Sequence, residues 1–565
     1  MMPFRQHIRA LAHHPLLLGA VVGTCIALIA IDMEFILGIG GAWVRPEGDF
    51  NIYLVAWHYY IGDEWRFPLF FVPQMGYPEG SNIVFSDALP LTAVLTKLLR
   101  RVFGVAVMPF GLWTFATYVL QGAMAARLSA ACGNRSPSAL IAAAILAVCN
   151  IPFLWRLGHT ALSSHFLILW ALALYFESTM RRRLRAVELC VMLALAVMVN
   201  SYLAVMIAVL GGATTAAMWQ RKQLEWRDAR TLAIGLLVVF LEVLAMGYGV
   251  LLIQPTAMEA TGFGVYSWNL VTLLIPPPHV WGITGGIVRD ATGGQIEGET
   301  YIGLGALLML LTALVTSRGA LFGHVRRHII LVAALALLAA AAASNMVYVG
   351  DTLVLSYGLP APLAVIANAL RGSARFIWPL AYLLMIVPMA LVFRRLPRRW
   401  AAGLAVVAMI AQVTEVIPTL QTVRLSTSQP FKDLVDNSRF TQWMQTHDRL
   451  WQYPSWPCGG LAGSARVWPG TEAFRELQVQ LLAARHNRPT NTVYTSRSFK
   501  DCAREAEWSQ QPQLTDGVLY LLGPEAVAES IELMRLASSG RCHNLTWAYA
   551  CSAKWSRRTA TRPGG

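Results

Sequence analysis

The side chains able to do chemistry are few and lie in the stretches between long apolar runs. Asp49 follows a glycine in Trp43-Val44-Arg45-Pro46-Glu47-Gly48-Asp49, and Asp87 closes Gly80-Ser81-Asn82-Ile83-Val84-Phe85-Ser86-Asp87. Two carboxylates brought together can share a divalent cation such as Mg or Mn, which takes oxygen ligands. Each also suits a plainer role, with Asp49 as N-cap of an amphipathic helix along the membrane surface and Ser86 or Asp87 as cap of the next helix. His159 sits in a short connection, and His165, at the entrance of the following apolar run, is expected to be structural. Glu297 and Glu299 end a loop, 254–300, that also holds Asn269 and Pro276-Pro277-Pro278-His279; its glycine pairs Gly285-Gly286 and Gly293-Gly294 would let it close over a substrate. Solvated loop acids are the alternative for the two glutamates. Arg371 and Arg375 precede another apolar run, where arginines also simply snorkel to the interface.

Certain chemistries are excluded. There is no Gly-x-x-x-x-Gly-Lys-Ser/Thr loop, dinucleotide fingerprint, His-Glu-x-x-His helix or Gly-x-Ser-x-Gly elbow. Acidic residues near or within apolar runs (Asp32, Glu34, Glu177, Glu188, Glu242, Glu415) are too scattered for a proton relay or ion path.

The elements that must position these residues are mostly membrane helices. With 56% hydrophobic and 13% charged residues, the 565-residue chain is too apolar for a set of soluble domains. The net charge of +14 does not imply nucleic acid, because the arginines form short clusters between apolar runs. A crossing needs about 20 apolar residues, with roughly 17 workable. That ruler predicts eleven spans, near 16–39, 105–126, 138–154, 161–179, 186–200, 203–219, 231–253, 301–317, 328–345, 374–393 and 400–419. The first is too long for a cleaved signal and is expected to be retained. Basic residues favour the cytoplasmic side of short loops. An inside N-terminus, with Arg5 and Arg9, also places Arg127 and Arg135, the 181–185 cluster, Arg221 to Arg230, Arg318 to His328 and Arg394 to Arg399 inside. Arg156, Arg289 and Arg371 are then left in outer loops. Ala88 to Leu99, ahead of Arg100 and Arg101, is too short to cross and is expected to be re-entrant or interfacial.

The expected architecture is an all-α transmembrane bundle, residues 1–420, with large periplasmic loops at 40–104 and 254–300, followed by a soluble periplasmic α/β domain, 421–565. Strands are expected at Asp448 to Tyr453, Gly517 to Leu522 and Leu545 to Ala550, and helices at Glu472 to Arg485 and Pro524 to Ala537. Cys458, Cys502, Cys542 and Cys551 fall in this domain and suggest up to two disulfides, with three full pairings open. Zinc is the competing reading, without a C-x-x-C to support it.

The Gly48-Asp49 turn, Trp65-Arg66-Phe67-Pro68, Ser81-Asn82-Ile83-Val84-Phe85-Ser86-Asp87-Ala88-Leu89-Pro90, Arg156-Leu157-Gly158-His159, Leu162-Ser163-Ser164-His165-Phe166 and Glu299-Thr300-Tyr301-Ile302-Gly303-Leu304-Gly305 resemble a family of bacterial multi-pass membrane proteins. That family is similar to the GT-C superfamily of glycosyltransferases, which use polyprenyl-phosphate-linked sugars. The resemblance covers roughly residues 15 to 420 and leaves out the C-terminal domain. It implies an inverting glycosyltransferase of the bacterial inner membrane, acting on a glycan or lipid acceptor. Asp49 holds the position of the superfamily's acidic residue, a catalytic base or metal ligand, with Asp87 as its partner. A carboxylate within hydrogen-bond reach takes the acceptor's proton. The lipid phosphate leaves with growing charge that cations must meet; Arg375, helped by Arg371, is expected there, and His159 is expected to reach the same cavity. A lipid or glycan transporter is the alternative, although no repeated halves are visible. A non-catalytic assembly protein, holding its outer domain for a periplasmic partner, is the third reading.

Overall fold

A computed structural model describes residues 14–46, 48–250, 262–277, 290–463 and 471–556. Arg5, Arg9, Glu47, Pro278, His279, Gly285, Gly286 and Arg289 lie outside the described residues. The chain is mostly helical and forms two compact units. One gathers Met1–Gly38, Phe110–Glu242 and Ala260–Ser428; the other gathers Ile39–Pro109, Val243–Glu259 and Gln429–Gly565.

A helix occupies each of the eleven apolar stretches, from Pro15–Ala30 to Arg398–Ser428. Among the described residues, however, only four are long and apolar enough to cross a membrane: Ser201–Gln220, Trp226–Met246, Ser373–Arg395 and Arg398–Ser428. Five more are apolar but shorter: Pro15–Ala30, Pro137–Val148, Ala186–Val199, Leu304–Thr316 and Ile329–Ala343. Apolar composition outruns helix length for a local reason. Pro137–Val148 stops at Cys149, yet the chain continues through Ile151, Pro152, Phe153 and Leu154, all buried. These four form a separate short helix after the break, and a composition ruler joins it to the helix before.

Within the first unit, Pro15–Ala30 packs on Phe110–Ala131. Gly19 and Gly23 lie against the backbone at Gly122 and Tyr118, so that no Cβ fits between these helices. Small residues four apart allow such close approach in lipid, where packing must drive association without a hydrophobic term. At one helix end Arg127 binds Glu177 (2.9 Å) and Glu188 (2.8 Å), and Arg185 joins both acids. Asp32 pairs with Arg424 at 2.9 Å. These acids are thereby accounted for as helix-to-helix ties.

In the second unit the helix Asp49–Gly62 is not the surface-lying amphipathic element expected. It is buried on nearly every face, from Phe50 through Ile61, and packs on the helix Thr471–Arg485. Its aromatic run (Tyr53, Trp57, Tyr59, Tyr60) is core, with Tyr59 Oη donating to Arg488 O at 2.6 Å. The 74–78 segment bonds to Thr490 through both Thr490 N to Gln74 O (3.0 Å) and Tyr77 N to Thr490 O (2.7 Å). The 40–104 loop, expected to belong to the membrane domain, therefore folds as one body with the C-terminal region. The amphipathic helix is the next one, Pro90–Phe103. Thr92, Ala93, Thr96 and Lys97 face inward, while Leu95, Leu98, Leu99, Val102 and Phe103 are exposed. Lys97 Nζ lies 4.0 Å from the Tyr60 ring centroid and donates to Glu64 O at 3.0 Å.

The C-terminal sheet has four strands. Arg449–Tyr453 pairs parallel with Val518–Leu522, which pairs antiparallel with Tyr549–Cys551, which in turn pairs antiparallel with Cys542–Asn544. The strand expected at Leu545 to Ala550 lies later, and Cys542–Asn544 is a strand additional to those expected. The expected Pro524–Ala537 helix is split at Ser530, and Asn437–Thr446 and Cys502–Gln510 are additional helices. Of the three disulfide pairings, the structure contains Cys458–Cys502 and Cys542–Cys551. They close loops of 44 and 9 residues in sequence separation. The longer loop gives the larger chain-entropy contribution, about 4 against about 3 kcal/mol.

Candidate functional site

A cluster of charged side chains in the first unit surrounds Glu297. The turn Gln295–Gly298 carries it, tied down by Asp290, whose Oδ1 accepts from Gln295 N at 2.9 Å. Arg156 and Arg375 arrive from two other segments and donate to the same oxygen, Glu297 Oε2, at 2.8 and 2.7 Å. His159 Nε2 stands 3.7 Å from Oε1. Arg156 Nη2 also donates to Ile296 O (3.1 Å) and Glu297 O (3.3 Å), and its guanidinium lies 5.9 Å from the Trp378 ring. The Arg375 guanidinium stacks 4.7 Å over Tyr202, whose hydroxyl accepts from Gly372 N at 3.0 Å. Burial pushes the Glu297 carboxyl up, but Arg375 and Arg156 outweigh it and hold the group well below the usual carboxylate range.

The exposures are ordered: the side chains of Arg156 and Arg375 are 3% and 11% exposed, that of Glu297 23%. The arginines lie deepest, and the Glu297 side chain is partly exposed. Two guanidiniums and an imidazole gathered on one carboxylate make a donor-rich cluster, of the kind that receives an anion with several acceptor oxygens.

The other expected residues are distributed as follows. Arg371 stands apart from the cluster, 5.6 Å over the Tyr266 ring. His165 is buried, sharing a 2.7 Å hydrogen bond through Nδ1 with Tyr382 Oη and lying on Trp378. Asn269 is also buried and bonds Gln295 and Gly350, which supports the loop. Asp49 and Asp87 belong to the second unit. Asp49 is not the N-cap: Gly48, at φ 47°, takes that position and Asp49 is the first helical residue. Neither Ser86 nor Asp87 caps Pro90–Phe103, where Leu89 is the capping residue. Instead Asp87 and Leu89 both adopt left-handed backbone, at φ 51° and 52°. This conformation costs side-chain-bearing residues energy and often marks functional turns. Among the described residues no group of three or more His, Cys, Asp or Glu is arranged to hold a metal ion.

Arg156 is the residue sequence reasoning undervalues, as merely the basic residue of an outer loop. Its one signal is the company of His159 in Arg156-Leu157-Gly158-His159.

Two models match the chain: the Domain of unknown function (DUF6311) over residues 20–417 and the DUF6311 C-terminal domain over 439–552. The chain belongs to the DUF6311 family. No curated protein matches it. In this DUF6311 protein, the first match contains the whole Glu297 cluster, and the second spans the four-stranded sheet.

Glu299, two residues beyond the cluster, is buried rather than solvated. Its Oε1 accepts from Thr300 N (3.2 Å) and Tyr301 N (3.3 Å). Burial pushes its carboxyl up to about 7, against the opposing pull of those amides and of Arg156. A carboxyl raised in the folded state contributes fully below its unfolded value, roughly 4.3, and loses that contribution as pH rises toward 7. The loss is on the order of 3 kcal/mol. Glu299→Gln should therefore flatten the stability decline between about pH 4.5 and 7. Thermal unfolding of both proteins in detergent across that range reads the difference; parallel curves would refute the assignment.

Proposed function

We propose that this protein is a GT-C-like membrane glycosyltransferase. It moves a sugar from a polyprenyl-phosphate donor to a glycan or lipid acceptor at the periplasmic face of a bacterial inner membrane. The observation that carries the reading is the pair of buried guanidiniums, Arg156 and Arg375, converging on a single acceptor oxygen in a unit built of apolar helices. Such a pair suits the phosphate of a membrane-borne lipid. In this reading the eleven apolar helices cross, the N-terminus is cytoplasmic and the residues beyond 420 are periplasmic.

The acceptor oxygen attacks the anomeric carbon and the bond from that carbon to the phosphate oxygen breaks. Its electron pair stays on the phosphate, and the acceptor proton passes to a carboxylate base, the role that the resemblance gives Asp49. Arg375 and Arg156 meet the charge growing on the phosphate, and His159 adds a donor. Asp87, in its left-handed turn, is assigned as partner to Asp49.

The test is direct. Purified full-length protein in lipid nanodiscs, given a polyprenyl phosphate carrying a radiolabelled sugar and an envelope glycan or lipid fraction, should move label to the acceptor and release polyprenyl phosphate. Label moving intact with its lipid carrier across proteoliposome membranes, with no transfer, would replace this reading with a transporter.

A further inference from the structure

We propose that the chain binds the phosphate of an anionic glycerophospholipid in a second pocket, where the start of Pro15–Ala30 meets the ends of Phe110–Ala131 and Phe166–Arg181. The site shares no residue with the Glu297 cluster and does not depend on the sugar-transfer reading.

The pocket is an open cavity of about 400 Å³, within the roughly 300–1,000 Å³ of small-molecule sites. Ala130 and Ala131 lie in its wall, where their small side chains leave room, and Arg127, Arg135 and Arg181 supply its charge. One carboxylate, Glu177, also lines it. That acid is already engaged: its Oε1 accepts from Arg127 Nε at 2.9 Å, and its Oε2 from Arg127 Nη2 at 2.9 Å and Arg185 Nη1 at 3.0 Å. Glu188 binds the same two arginines, so two cations and two anions balance there. Arg135 and Arg181 stand outside that balance. Both are exposed, and neither has an ion pair among the described residues. Residues 1–13 carry Arg5 and Arg9 and no acid, so the sequence ahead of His14 supplies no counter-charge either.

What separates a lipid headgroup from a free phosphate is the apolar surface that begins in the same pocket. Leu16 and Met180 line it, 37% and 60% exposed. From there Leu17, Val21, Cys25 and Leu28 form an exposed stripe along Pro15–Ala30, on the side away from Gly19 and Gly23, which pack on Phe110–Ala131. A phosphate held between Arg135 and Arg181 lays its acyl chains along this stripe. Basic pockets between helices at the ends of spans hold anionic headgroups through this combination of charge and apolar surface. Guanidiniums meet phosphate oxygens through paired hydrogen bonds. A lipid seated there touches three helices of the unit, so the folded chain should gain stability as the lipid concentration rises.

The experiment measures lipid binding. Full-length protein in detergent is titrated with dioleoylphosphatidylglycerol and, separately, with dioleoylphosphatidylcholine, reading lipid retention by native mass spectrometry and the melting temperature. The anionic lipid should be retained more tightly and raise the melting temperature; equal binding of the zwitterionic lipid would refute a charge-reading site. Arg135→Ala and Arg181→Ala should each weaken phosphatidylglycerol binding about fivefold and together about 25-fold, from ~1 kcal/mol per basic residue at an anionic lipid surface. Arg182→Ala with Arg183→Ala, exposed neighbours that do not line the pocket, should cost less than about twofold. A loss equal to that of the pocket pair would mean a diffuse basic surface and no site. If the alanine pair does not accumulate, Arg135→Lys with Arg181→Lys keeps the charge and loses the planar fork, and should show a smaller loss in the same direction. Unchanged affinity in the pocket variants overturns the proposal. Displacement of the lipid by inorganic phosphate or glycerol phosphate would make a soluble phosphate the occupant and overturn the lipid assignment, as would a dimer of the chain that carries no lipid.

Discussion

Asp49→Asn should slow sugar transfer by roughly 10²–10⁴-fold, the range for removing a positioned general base, while leaving the protein folded and inserted. The structure explains the second half of that expectation. Gly48 is the capping residue and its φ of 47° makes the turn, so the start of the Asp49–Gly62 helix does not depend on the carboxylate. The charge at the first helical position also interacts favourably with the helix dipole, by about 0.3–1 kcal/mol. Asn retains the shape and a hydrogen-bonding oxygen but cannot take a proton. Transfer assays and size-exclusion profiles of native and D49N protein read the two effects separately, and native rates from well-folded D49N would remove Asp49 from the mechanism.

Arg156→Ala should be among the most damaging single changes to stability in the membrane unit, at about 3–5 kcal/mol. One side chain satisfies Glu297 Oε2, Ile296 O and Glu297 O together. Its removal leaves a buried carboxylate with one guanidinium fewer and takes one donor from each of two backbone carbonyls, of which Ile296 O keeps the bond from Glu299 N (3.3 Å). Arg156→Lys should recover only part of the loss, because an ammonium is a point donor and cannot span three acceptors as a planar fork does. Chemical unfolding in detergent measures both; a native-like Arg156→Ala would mean that water replaces the guanidinium and that the cluster is not the closed ion pair described.

These residues show what a single sequence discloses. The helices are legible because each has a run of apolar side chains, and the strands Arg449–Tyr453 and Val518–Leu522 because their β-rich segments are bounded by turn residues. The number of helices long enough to cross is not, since the short buried helix Ile151–Leu154 is as apolar as the helix before it and composition does not show the break between them. Burial of the Asp49–Gly62 helix is hidden for a related reason. The helix it packs on begins at Thr471, far along the chain, and no local pattern announces it. At the candidate site, the residue types are readable and their pairing is not. Arg156 meets Glu297 across 141 positions and Arg375 meets it across 78. A lone arginine in a short loop has no periodicity to betray its partner, and Glu297 resembles any loop acid until two guanidiniums are seen on it.

The helix that follows the Glu297 turn, Leu304–Thr316, has no side-chain cap of its own. Gly303 precedes it at φ 92°, with Gln412 so close that a Cβ there would collide. Its first amides are received from far along the chain: Leu304 N by Glu415 Oε2 (2.8 Å), Gly305 N and Ala306 N by Gln412 Oε1 (3.1 and 3.3 Å). Helix starts leave such donors unsatisfied until something accepts them. During synthesis, residues 304–306 emerge about a hundred positions before the glutamine and glutamate that complete them. The helix start beside the Glu297 turn is completed only when the Arg398–Ser428 segment has left the ribosome, so a prematurely terminated chain carries the turn and its arginines but leaves the first amides of the next helix without their acceptors.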